Sequence, residues 1–207
     1  MIRLLGRSSS INVRKVLWTL AELEAQYEHE EWGNDALPLK SAHFLALNPN
    51  GLVPVLQHDG LTFWESNAIC RYLAARFERP DLLPSAPERR ALVEQWMDWQ
   101  ATELNNSWRY AFMGLVRRSP AHQDRQAIQA SLENWSRHMA ILDATLAGTG
   151  GYVLGAAFTL ADIPLGLSVH RWYMTPFERP KLAAVADYYE LLSQRPAYRR
   201  HGRNGLP

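Results

Sequence analysis

The chain has 207 residues, 47% of them hydrophobic and 21% charged, with 22 Lys and Arg against 21 Asp and Glu for a formal net charge of +1. This is the composition of one large or two small globular domains, and it lacks the basic excess that nucleic-acid binding requires. The single cysteine, Cys70, excludes a disulfide framework and any paired-cysteine redox or zinc module, and points to a reducing, cytoplasmic setting. No stretch approaches the roughly 20 apolar residues of a membrane helix, and the apolar run at residues 2–5 is too short for a signal-peptide core. None of the seven histidines stands at metal-ligand spacing from another histidine or a cysteine, so no metal is expected.

Residues 2–5 read as a short strand and residues 6–10 as a loop. Val13, Val16, Leu17, Leu20 and Leu23 then fall at helical spacing within residues 13–25. Residues 26–31 predict a second, more exposed strand. Residues 33–51 are irregular, rich in Asn, Pro and Gly, with a short helix over 41–46. Two β-rich runs, 53–58 and 61–64, flank Asp59-Gly60, a strong hairpin signal. A helix follows over 65–77, with Ile69, Tyr72, Leu73 and Phe77 on one face. Cys70 sits inside this helix as an inert core thiol.

Residues 78–88 hold three prolines and read as a linker. Beyond it no strand signal stands out. Leu92, Trp96 and Trp99 mark a helix over 88–117. Ile128, Leu132, Trp135, Met139, Leu142 and Leu146 form an amphipathic stripe over 125–147. Thr159 and Asp162 make a Thr-x-x-Asp helix start, with Asp162 structural, and residues 180–195 suggest a further helix. The expected division is therefore an α/β domain over 1–79, a linker over 80–88, and an all-helical domain over 89–207.

Two segments carry chemistry. Ser8-Ser9-Ser10-Ile11-Asn12-Val13-Arg14-Lys15 places hydroxyls and an amide where a loop opens a helix. Free N–H groups and the helix dipole favour an anion there, and Ser and Asn are equally the preferred helix caps. The second is Asn48-Pro49-Asn50-Gly51-Leu52-Val53-Pro54-Val55-Leu56, followed by Glu65-Ser66 at a helix start. Taken singly, these are an edge-strand proline and a capped acidic first turn.

Together, NPNGLVPVL, the Asp59-Gly60 hairpin, WESNAICRYLA and FTLADIPLG resemble the glutathione transferases along nearly the whole chain. GRSSSINVRKVLWTLAE is similar to the opening of bacterial members related to the serine-using theta, delta and nu classes. The resemblance implies a thioredoxin-like N-terminal domain of βαβ-ββα order and an all-α C-terminal domain. It also implies a homodimer that takes glutathione as co-substrate together with a small hydrophobic electrophile. Val53 would pair its backbone with the cysteinyl unit and Pro54 would be a cis-proline. Glu65 and Ser66 would hold the γ-glutamyl end, and Lys40 the glycine carboxylate. Ser10 is the first candidate to donate to the sulfur, Asn12 the second and Ser9 the third.

Trp108, Tyr110 and Phe112 would face the electrophile, with Trp172, Tyr173, Met174 and Phe177 closing the pocket from the C-terminal side. Arg109 would meet a substrate anion or a surface acid, and Arg117 and Arg118 read as solvated. Two departures stand out: Leu52 and Gly51 occupy positions that are often basic and sometimes His in relatives. The leading expectation is thiolate transfer to an electrophile. Glutathione-dependent disulfide or peroxide reduction, and a non-catalytic binding module, are the alternatives.

Overall fold

The computed structural model describes residues 1–207. Its first third is one mixed sheet with helices against it. Strand β1 (Ile2–Leu5) leads through a loop into α1 (Ile11–Glu22), and β2 (Tyr27–Glu30) returns parallel to β1. After α2 (Ala42–Leu47), β3 (Val55–His58) and β4 (Leu61–Trp64) form the hairpin, and α3 (Ser66–Arg76) follows. The sheet order is β2-β1-β3-β4, with β3 antiparallel to both neighbours. This is the thioredoxin-like arrangement expected, continued by helices alone.

The turns explain the boundaries. Asp59 and Gly60 both take positive φ, 50° and 80°, the backbone of a two-residue hairpin turn matched to strand twist. Helix α1 stops at Glu22, short of the expected residue 25. Leu23 caps it, Glu24 takes φ 51°, and the N–H of Ala25 folds back onto the Leu20 carbonyl. Strand β3 begins at Val55, two residues after the predicted start, since Pro54 has no N–H to give the ladder; the Val53–Pro54 peptide is cis.

The single helix expected over 88–117 is two. Helix α4 (Pro87–Trp99) passes through a π-helical segment, Gln100–Leu104, into α5 (Asn105–Leu115). Helix α6 (Arg125–Thr149) buries Trp135, Met139, Leu142 and Leu146 of the predicted stripe. Helices α7 (Asp162–Met174) and α8 (Ala183–Ser193) follow, and α9 (Pro196–His201) is one that the sequence reading did not pick out. Buried Asp162 accepts from the N–H groups of Val153 (3.0 Å) and Thr159 (2.8 Å) and from the Tyr188 hydroxyl (2.9 Å), which ties the approach to α7 to α8.

Helix α1 joins the two halves. Trp18, fully buried, lies against the rings of Tyr198 (4.7 Å) and Phe158 (5.7 Å) from the helical half. Two cations on α1 are buried as well. Arg14 donates to Asn204 Oδ1 (3.1 Å) and to the main-chain oxygens of Leu206 (2.8 Å) and Pro207 (3.1 Å). Lys15 donates to Gln100 Oε1 (2.8 Å), and Gln100 Nε2 donates onward to Ser168 Oγ and Asn105 Oδ1 (both 2.9 Å). The π-helical segment is thus the hub of a polar network linking α1, α5 and α7.

Candidate active site

The loop before α1 is set by Gly6. Its φ is 147°, and a Cβ there would stand 2.6 Å from Val13 Cγ2 and 2.8 Å from Val53 Cβ. Only glycine permits that approach, and it brings the start of α1 beside the Val53 edge. That edge is shaped by buried Asn48. Its side chain donates to the Leu52 carbonyl (2.8 Å) and accepts from the Asn50 N–H (3.1 Å). Gly51 takes φ 62°, and a Cβ there would meet Lys40 Nζ at 2.9 Å, so exposed Lys40 lies over this turn. The N–H and C=O of Val53 sit outside the β3 ladder and have no hydrogen-bond partner.

Two helix N-termini converge on the same region. Ser10 is the N-cap of α1, yet its hydroxyl makes no capping bond, and the N–H groups of Ile11, Asn12 and Val13 are unpaired. Glu65 precedes α3 with φ 70° and ψ 108°, a conformation rare for a non-glycine residue that costs of order 1–3 kcal/mol. The N–H groups of Ser66, Asn67 and Ala68 are free in the same way. Such ends present donors and partial positive charge to an anion.

A cavity of about 310 Å³ lies between them, lined by Asn12, Lys15, Glu65, Ser66, Ala68 and Asn105 among others. Burial lowers the Lys15 ammonium from 10.5 to about 8. A second cavity, of about 530 Å³, opens past Ser10 and Asn12 toward Leu52, Trp108, Phe112 and Met113. Asn12 lines both. Ser9, half-buried, lines neither.

Of the expected electrophile residues, Trp108 and Phe112 share the second cavity, at one helical turn's spacing. Tyr110 does not join them. Two residues from each, it lies on the opposite side of α5 with its ring 4.9 Å from His122. The C-terminal side is also corrected. Trp172 is fully buried against Trp135 and Phe177, and α7 presents Arg171 to the cavity instead. Arg117, read as solvated, lines the cavity with its guanidinium 5.5 Å from the Phe112 ring centre. Lys15, Arg71 and Arg171 were not picked out as site residues. A cation inside an apolar helical stripe looks like an interruption until its neighbours are known. Cys70 is buried and its thiol is pushed up to about 11 by that burial. No group of three His, Cys, Asp or Glu side chains is placed to hold a metal ion.

The family model described as the glutathione S-transferase N-terminal domain matches residues 2–75. Glutathione S-transferase GstB of Escherichia coli strain K12 is 43% identical over 205 residues, covering 97% of each chain. The theta-class glutathione S-transferase of Xanthomonas axonopodis pv. citri, solved with glutathione bound, is 41% identical with TM-score 0.91, covering 100% of this chain and 99% of that one. Glutathione transferase F7 of Populus trichocarpa superposes with TM-score 0.85 at 27% identity, over the full length of both chains. On sequence and structure together, the chain belongs to the glutathione S-transferase family.

Proposed function

We propose that the protein is a glutathione transferase that binds glutathione in the cavity between α1 and α3 and delivers its thiolate to an electrophile in the second cavity. The observation that carries this is the unspent hydroxyl of Ser10, which lines the second cavity two residues before Asn12, a residue of both cavities. An N-cap serine ordinarily uses its oxygen on its own helix. Here the hydroxyl is free to donate to a sulfur, and the unpaired N–H groups of α1 add positive potential. A free thiol titrates at about 8.5, so only a few per cent is ionised at pH 7. Lowering that by about two units makes thiolate the majority form and takes roughly 2.7 kcal/mol, within reach of one charge-assisted hydrogen bond plus a helix end.

Residues 1–79 supply the glutathione contacts, and residues 89–207, past the linker 80–88, supply the electrophile side. The unpaired N–H and C=O of Val53, with Pro54 behind it, match an added strand edge for the cysteinyl unit. Glu65 faces the γ-glutamyl amino group, and Ser66 with its free N–H takes the adjoining carboxylate. Lys40 reaches the glycine carboxylate across the Gly51 turn. Asn12 and Ser9 stand behind Ser10 as sulfur donors, Asn12 the nearer by its place in both cavities. The protein acts as a homodimer in the cytoplasm. Exposed Leu61, Trp64 and Leu92 suit the first statement, and a lone buried thiol the second.

The test is ultraviolet titration of enzyme-bound glutathione. The thiolate band is expected to reach half-height well below pH 8. A midpoint equal to that of free glutathione overturns the reading. Absence of binding to a glutathione matrix points to the non-catalytic module, and faster disulfide reduction than conjugation points to the reductase.

A further inference from the structure

The second cavity has a charge pattern that an apolar acceptor does not need. Four arginines line it, Arg7, Arg109, Arg117 and Arg171, and no Asp or Glu does. None of the four pairs with an Asp or Glu side chain, although seven other arginines of the chain do. The guanidinium groups of Arg109 and Arg117 have no hydrogen-bond partner. Arg7 donates to the Gly33 carbonyl (3.2 Å) and Arg171 to the main-chain oxygen of Pro207 at a long 3.4 Å.

Arg171 is the decisive member. It is only 3% exposed, sandwiched with its guanidinium carbon 4.4 Å from the Trp108 ring centre and 4.1 Å from that of Phe112. Its Nε is buried without any partner. Burial, together with Arg14 and Arg117, lowers its pKa to about 9. A buried cation held among like charges with an unpaired donor is costly unless an anion completes it. In a chain of net charge +1 the clustering does not follow from composition.

We infer that the electrophile taken by the second cavity carries a carboxylate, which the Arg109, Arg117 and Arg171 guanidinium groups receive while Trp108 and Phe112 pack its apolar body. This rests on the proposed transferase reading and names its substrate class. For an aryl halide the step balances simply. The glutathione sulfur forms a bond to the ring carbon, the carbon–halogen bond breaks, and halide leaves with the bonding pair. The thiol proton has already gone to water, and nothing is oxidised or reduced.

The test compares 4-chloro-3-nitrobenzoate with 4-chloro-3-nitrobenzamide, which share shape and leaving group and differ in charge. Each kcat/KM is divided by the uncatalysed rate constant with glutathione, since the amide is intrinsically the more reactive. The benzoate is expected to lead by at least tenfold. Arg109→Gln and Arg117→Gln, both at exposed positions that tolerate substitution, are expected to bring that ratio toward one, and Arg171→Gln to abolish it. A ratio near one in the unsubstituted enzyme, with the amide conjugated, overturns this inference and leaves the transferase reading standing. Conjugation of neither compound overturns both. If the variants raise KM for glutathione and leave the ratio unchanged, the arginines serve glutathione and the inference falls.

Discussion

The two cavities that share Asn12, Ala101 and Asn105 are built on different principles. The one between α1 and α3 is framed by backbone, the unpaired N–H groups of two helix starts and a glutamate forced to φ 70°, with Lys15, Arg71 and Asp98 in its wall. The other is made of side chains, with arginines and aromatic rings projected from α5 and α7. Main-chain donors are fixed once the fold is fixed, so the first cavity tolerates little change in its ligand. Side chains can be exchanged one at a time without disturbing the sheet. The contrast predicts a constant co-substrate on one side and a tunable acceptor on the other.

That contrast can be broken by experiment. The largest effect is expected at the Ser10 hydroxyl. Ser10→Ala removes the sulfur donor and should lower kcat/KM about 100-fold at pH 7, while raising the pH at which bound thiolate forms. An unchanged pH profile would hand that role to Asn12. Next, Ser66→Ala leaves the N–H groups of α3 in place and should raise KM for glutathione about tenfold with kcat nearly kept.

The third test concerns Lys15, whose ammonium is lowered to about 8 in the folded chain by burial. Above pH 8 the folded protein sheds this proton while the unfolded chain keeps it up to about 10.5. The unfolded state then binds more protons, so stability rises with pH across that window. Below pH 8 both states are charged and the penalty of burial is fully present. Denaturant melts should show Lys15 contributing about 1 kcal/mol of gain between pH 8 and 9, absent in Lys15→Met. The smallest effect belongs to the rim. Leu52 is 62% exposed beside the second cavity, and Leu52→Arg should improve kcat/KM for an anionic acceptor two- to fivefold, as measured at low salt.

The sequence is most readable where function uses the main chain. Asp59-Gly60 announces the hairpin because few other pairs accept two positive φ values in a row. Asn48 to Pro54 and Glu65-Ser66 are equally tied to backbone shape, so their order along the chain reveals their place in the fold. The side-chain cavity is less legible. Trp108, Tyr110 and Phe112 follow together from the family resemblance; helical spacing sets Tyr110 on the other side of α5 from Trp108 and Phe112, but which side faces Ser10 is a tertiary fact. Lys15 and Arg171 sit among apolar neighbours at 2% and 3% exposure, where a charge is unexpected until Gln100 and the Trp108 and Phe112 rings are placed around them. The break between α4 and α5 has no Gly or Pro at Gln100–Leu104 to mark it.

That break carries a consequence for how the acceptor side could have diverged. A π-helical turn holds one residue more than the α-helical turn it replaces. Deleting a single residue between Ala101 and Leu104 would restore regular α winding without turning what lies downstream, because the wider turn itself absorbs the extra residue. Trp108, Arg109 and Phe112 would keep their side of the helix. One codon gained or lost in this segment would therefore leave the acceptor wall in place, and that wall changes only residue by residue.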